Sequence, residues 1–353
     1  MKRILLILLF LSGFTLSRAD EGRCEFLLVP RVSLSGFSTR DGNSIEPSNT
    51  LLYSIFRAKL TDNLTFVSQN RWASSSWEKT RSLYTRLGHA DDVNFFDFCK
   101  LRLDVGRFNF QIGKDTMVYG DYTFDLYAFD FFPDLCDTYV AIYQPYLWGV
   151  SAGFAATERS EFRLQLTDTP YSDRIFDSGC LALTGIWNYS GEILSTIYTF
   201  TLHQKPSLPG LDGETLMKYL ALGHMVKQGP WYGELNLAAR FGQWRHFFGQ
   251  ELSASAKAGM SVHPKLDVVA SFGWECSRLG ESEWVYGPTW NCPGSIVPMA
   301  VYPDRDLWVG ALYAYWFPLA DRSLRLHLMG AANNYAEGGS LALGATWFLK
   351  FRF

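Results

Sequence analysis

The last residues of the chain, SLALGATWFLKFRF (340–353), alternate strictly. Leu341, Leu343, Ala345, Trp347, Leu349, Phe351 and Phe353 take every second position, with Ala342, Gly344, Thr346, Phe348, Lys350 and Arg352 between them. A period of two places the first set on one face of a strand and the second on the other. The pattern recurs. In EFRLQLT, Phe162, Leu164 and Leu166 alternate with Glu161, Arg163, Gln165 and Thr167. In WYGELNLAARF, Trp231, Leu235, Leu237, Ala239 and Phe241 alternate with Tyr232, Glu234, Asn236 and Arg240. ELSASAKAGMSV and LDVVASFGWE repeat it, with Leu266, Val268, Ala270, Phe272 and Trp274 forming the apolar side of the latter.

Sixteen such segments run through the sequence, near 26–36, 50–60, 64–72, 94–105, 108–113, 147–155, 161–167, 180–189, 193–204, 216–228, 231–244, 251–262, 266–278, 307–319, 323–335 and 340–353. Their connections tend to alternate in length. TDN, GR, ATERS, SGE, GP, HPK and ADR read as tight turns, and the stretches 73–93, 114–146 and 279–306 are long. A soluble sandwich has no reason to sort its connections this way, whereas an outer-membrane barrel has short turns at one end and long loops at the other. The charged side chains sit on the second face of strand after strand, as a wet lumen requires, and the apolar face suits lipid. The expected fold is therefore all-β: one closed, transmembrane, antiparallel β-barrel of about sixteen strands. An even number is also expected, so TYVAIYQP (138–145), which has strand composition, is assigned to the loop 114–146.

Lys2 and Arg3, the apolar run ILLILLFLSGF and SRA before Asp20 read as a signal peptide over 1–19, leaving 20–353 as the barrel. No later apolar run is long enough for a membrane helix. Aromatic residues make up 16%, with 12 Trp and 27 Phe, which is rich for a secreted soluble domain. The net charge of −3 gives no basic excess, so no nucleic-acid partner is expected. The six cysteines have irregular spacing without a CxxC pair, which argues against zinc. Cys276 and Cys292 bracket a loop and could form a disulfide, with buried free thiols the alternative.

The whole chain resembles bacterial porins. Within them, VGRFNFQIGKDTMVYGDYTF (105–124) is similar to the phosphate-selective porins O and P and related Bacteroides-type porins: a short turn and a Phe-alternating strand run into Gly113, Lys114 and a long loop. The terminal strand ending in Phe353 likewise resembles the C-terminal signal of Gram-negative outer-membrane proteins. The resemblance implies the outer membrane as location, membrane lipid and small hydrophilic solutes as partners, no cofactor, and a homotrimer as one available assembly. It also implies that the loop after strand five, 114–146, folds into the lumen and narrows it.

That loop carries Asp115, Asp121, Asp125 and Asp130, followed by Asp134 and Asp137, against Lys114 alone. Inward strand positions supply the opposite sign: Arg31, Arg57, Lys59, Lys100, Arg102, Arg163, Arg240, Lys257 and Arg325, with Lys350 and Arg352. Acids facing a basic wall would set a transverse field that favours small polar solutes, and clusters of charge are how pores select ions. The acidity departs from a phosphate-selective pattern. The alternative for these acids is simple solvation of an external loop. No GxGxxG or phosphate-binding GKS/GKT sequence occurs, and the six histidines are scattered, so no enzyme is expected. The reading is a porin for passive diffusion of small hydrophilic solutes or ions. The alternative is a plugged barrel whose long loops, bearing Trp72, Trp77, Trp284 and Trp290, bind a host or partner protein.

Overall fold

The computed structural model describes residues 23–39, 42–47, 51–74, 96–116, 146–169, 179–204, 216–247, 251–277, 306–334 and 338–353. They form one antiparallel sheet of eighteen hydrogen-bonded segments. Two pairs of segments are halves of single strands, so sixteen strands make the wall. They are β1 (Cys24–Thr39), β2 (Gly42–Pro47 and Leu51–Lys59), β3 (Leu64–Ser74), β4 (Phe96–Val105), β5 (Phe108–Thr116), β6 (Tyr146–Thr157), β7 (Ser160–Asp168) and β8 (Leu181–Ser190). There follow β9 (Leu194–Gln204), β10 (Leu216–Gln228), β11 (Trp231–Phe241), β12 (Glu251–His263), β13 (Leu266–Ser277), β14 (Asp306–Trp316), β15 (Leu324–Asn333) and β16 (Gly338–Trp347 and Leu349–Arg352).

Each strand pairs with its sequence neighbours, and β1 pairs with β16, which closes the barrel. Closure leaves no edge whose backbone groups would be stranded in lipid. The seam keeps one register throughout, from Glu25 opposite Arg352 to Ser38 opposite Gly339. The interruption of β16 at Phe348 has a local cause. Cys24 and Phe353 exchange both backbone bonds. Bonded and non-bonded pairs alternate in an antiparallel ladder. Pro30 therefore falls at a position that owes an N–H to β16 and has none to give.

The seven described turns, from 60–63 to 317–323, all lie at one end of the barrel, together with both ends of the closing seam, Cys24 and Phe353. The opposite ends of the strands lead into residues that are not described. Two of the tight turns are Gly106–Arg107 and Gly229–Pro230, each with a positive φ of 59° at the glycine, as primed hairpin turns need. This sorting puts the tight turns on the periplasmic side.

The two faces differ as the alternation requires. Val32, Leu34, Phe110, Ile112, Leu164, Leu312, Leu341 and Leu343 point outward and are exposed. Arg31, Ser33, Asn109, Gln111, Gln165, Thr184, Thr201, Asn236, Lys257 and His327 point inward and are buried. Outward aromatic side chains collect at two heights. Near the tight turns Phe162 stacks on Trp187 with centroids 6.4 Å apart, Trp187 meets Tyr198 edge-on at 5.2 Å, and Trp231, Trp316 and Trp347 are exposed. Near the other end Phe200 stacks on Trp244 at 5.8 Å, with Trp72 and Trp308 exposed. Eight residues separate Trp308 from Trp316 on β14, about 26 Å along a strand. Tilted, that matches an apolar band about 25 Å tall between aromatic girdles. The protein is an outer-membrane β-barrel.

The expected strands are all present where described. One boundary is corrected: Lys114 and Asp115 are not loop residues, because β5 continues to Thr116. The alternation runs on through Gly113, at φ 134°, with Gly113 and Asp115 on the inward side and Lys114 on the side of Ile112. Residues 1–19, 138–145 and 117–130, with Asp121, Asp125 and Asp130, lie outside the described residues.

Candidate functional site: the inner wall of the barrel

Strand tilt makes each hydrogen-bonded row climb around the wall. One row starts at Lys59, beside a tight turn, and passes through Thr65, Arg102, Gln111, Ser151, Gln165, Thr184, Thr201 and Tyr219. It ends at Arg240 and Glu251, at the loop end of β11 and β12. The positions from Lys59 to Tyr219 face the lumen.

Of the described cations on this wall, Lys100, Arg102, Arg163, Lys257, Lys350 and Arg352 each meet an acid on the same wall. Lys100 Nζ lies 2.6 Å from Asp115 Oδ2, a diagonal neighbour on the adjoining strand. Arg102 pairs with Asp104 at 2.9 Å, and Arg163 with Glu161 at 2.7 Å, each two residues away on its own strand. Lys257 pairs with Glu234 at 2.5 Å from directly opposite positions on β12 and β11, with both side chains nearly enclosed. Asp115 therefore does not face Lys100 across the pore. It neutralises it locally, and the field of such pairs falls off over a few ångström.

The remaining expected positions are spread along the barrel. Arg57 and Lys59 are exposed near the tight-turn end, Arg57 opposite Glu25. Glu25 also holds Lys350 at 3.0 Å and Arg352 at 3.6 Å across the closing seam. Arg31 and Arg325 flank Thr346 in one row. The Arg325 guanidinium lies over Tyr315 at 5.0 Å and Phe348 at 5.4 Å, the geometry of a cation on an aromatic face. Lys114 stands opposite Cys99, on the side of the strand pair that carries Leu101 and Ile112. Cys276 is buried at the loop end of β13, and Cys292 lies outside the described residues.

The sequence reading missed Asp104, Glu161 and Glu234 as partners of these cations. For Asp104 and Glu161 the signal was available, because residues two apart on a strand share a face. Glu234 and Lys257 could be matched only once the β11–β12 register was known.

The inner face is not uniform. On β13–β16, Val269, Ala311, Tyr313, Tyr315, Met329 and Ala342 form a packed apolar cluster with Tyr232 against it. The wall from β4 to β7 is instead built of charges, amides and hydroxyls. Thr184 and Thr201 share a hydrogen bond at 3.0 Å on β8 and β9, and His327 Nε2 is 3.4 Å from Ser33 Oγ. Among the described residues no group of three or more His, Cys, Asp or Glu side chains could hold a metal ion.

No family model and no curated protein matches the sequence. Solved structures do match its fold. The outer-membrane channel DcaP of Acinetobacter baumannii is similar at a TM-score of 0.63 and 10% identity, covering 94% of this chain and 99% of that one. The anion-selective porin from Comamonas acidovorans gives 0.60 and 11% over 92% and 98%. OmpT, an outer-membrane protein of Vibrio cholerae, in its trimer form gives 0.59 and 11% over 94% and 100%. The chain has a porin-type barrel fold. At these identities the likeness concerns the fold, and the chemistry of the porin-type wall has to be argued from its own residues.

Proposed function

We propose that the protein is a porin: a passive channel for small hydrophilic solutes and ions, without enzymatic activity. The observation that carries the reading is the inversion of the two faces. Lys100–Asp115, Arg163–Glu161 and Lys257–Glu234 lie inside, and Phe110, Ile112 and Leu343 lie outside. A barrel lined with polar groups and apolar outside suits the passage of what dissolves in a polar lumen. The packed cluster on β13–β16 favours a polar path along β4–β7.

Loop 114–146, from residue 117 onward, narrows that path in this reading, with Asp121, Asp125 and Asp130 opposed to the basic wall. The resemblance of 105–124 to phosphate-selective porins supports the channel class. Local pairing of Lys100, Arg102, Arg163 and Lys257 speaks against a strong phosphate preference. A homotrimer and removal of residues 1–19 belong to the same reading. The trimer form of the Vibrio cholerae protein and the exposed small side chains Ala256, Ala258 and Ala270 support the first.

Proteoliposome swelling tests the proposal. Vesicles carrying the folded protein should swell in isotonic arabinose and stay unswollen in a large dextran. Swelling no faster than in protein-free vesicles would overturn it.

A further inference from the structure

Two glycines face each other across β5 and β6, Gly113 and Gly149, both at inward positions. Neither leaves room for a side chain: a Cβ at Gly113 would collide with the Cys99 carbonyl oxygen, and one at Gly149 with that of Leu166. The two strands bring no side chain to the inner surface at this point, and a cavity of ≈ 10 Å³ opens there. That is about the least volume that holds one water. Gln111 and Ser151, the next inward pair on the same two strands, line it. They are 6% and 7% exposed, and Gln111 Oε1 and Ser151 Oγ are buried without a hydrogen-bond partner. Buried polar atoms are rarely left so, and a cavity beside them points to a missing group.

Lys100 and Asp115 also line the cavity, but they engage each other at 2.6 Å, so the notch offers no net charge. Gln111 Oε1 can only accept. Ser151 Oγ can accept or donate. The group that fits is a neutral donor the size of one oxygen.

We propose that this notch is a hydrogen-bonding subsite of the pore, holding one water at rest and a hydroxyl of a polyol or sugar in passage. The proposal rests on the porin reading. A hydroxyl reproduces the bonds of the water it displaces, whereas a methyl group of the same size leaves both oxygens unsatisfied. The subsite therefore retains polyhydroxylated solutes against equally small apolar-capped ones.

The test is the planar-bilayer current of the purified full chain, titrated with xylitol after correction for bulk conductivity. The half-blocking concentration should rise about threefold in Ser151→Ala and at least as much in Gln111→Leu, as loss of one net hydrogen bond predicts. It should not move in Ser255→Ala, whose hydroxyl accepts from Asn236 Nδ2 on the far wall. If Gln111→Leu fails to fold, Ser151→Ala decides alone. Equal half-blocking concentrations in wild type and Ser151→Ala, with potassium chloride conductance retained, overturn the subsite and leave the porin reading standing. No conductance in the folded wild type overturns both.

Discussion

Cys24 and Phe353 exchange both backbone hydrogen bonds: the Cys24 N–H donates to the Phe353 carbonyl at 3.2 Å, and the Phe353 N–H to the Cys24 carbonyl at 2.9 Å. They end the ladder that joins the first strand to the last. Deleting Phe353 removes both bonds and an exposed aromatic side chain from the seam. The loss should be about 1–3 kcal/mol, two ordinary net hydrogen bonds, with folding retained. Thermal unfolding in detergent, followed by circular dichroism, should show a lower midpoint for the truncated chain. An unchanged midpoint would mean that the seam is held elsewhere.

The Lys257–Glu234 pair is almost enclosed by the inner wall, so removing one partner takes from the other the opposite charge directly across from it. Glu234→Leu and Lys257→Met should each destabilise by about 3 kcal/mol, while the double variant should recover most of the loss. Urea unfolding of the four species in a double-mutant cycle measures the coupling. Additive losses would show that the two side chains do not interact in the folded protein.

Sidedness predicts opposite fates for two arginine substitutions on β16. Leu343 is 62% exposed on the lipid face, and Ser340 faces the lumen from three residues away. Leu343→Arg should cost about 2–4 kcal/mol near the bilayer midplane, whereas Ser340→Arg should insert nearly as well as wild type. The folded fraction after refolding into vesicles compares them. Equal yields would contradict the assignment of faces.

How much of this was legible in the sequence depends on the range of the interaction. The strands were, because alternation is local: 340–353 shows its faces unaided. The end of β5 was not. Gly113 brings no side chain to the pattern and Lys114 puts a charge on the side of Phe110 and Ile112, so Lys114 and Asp115 look like the start of a loop. The cations of the wall were legible, but their partners were so only at spacing two, as in Arg102 and Asp104. Lys100 with Asp115, and Lys257 with Glu234, depend on the register between strands, which no single strand encodes. The notch at Gly113 and Gly149 was invisible for the same reason, since it needs two glycines from strands joined by a long connection.

The Lys100–Asp115 pair makes a signed electrical prediction. Asp115→Asn leaves the ammonium unopposed and should move the reversal potential in a salt gradient toward anions. Lys100→Met leaves the carboxylate and should move it toward cations, and the double variant should return close to wild type. Each shift should shrink at high salt, as the screening length falls from about 10 Å at 0.1 M to about 3 Å at 1 M. Shifts of the same sign in both single variants would contradict the pairing.

The central claim is an open, water-filled lumen, and single-channel recording in planar lipid bilayers tests it most directly. Purified protein with a β-rich circular dichroism spectrum should give stable, ohmic current steps in potassium chloride, nearly proportional to bulk conductivity. A folded, inserted barrel that passes no current would contradict the account.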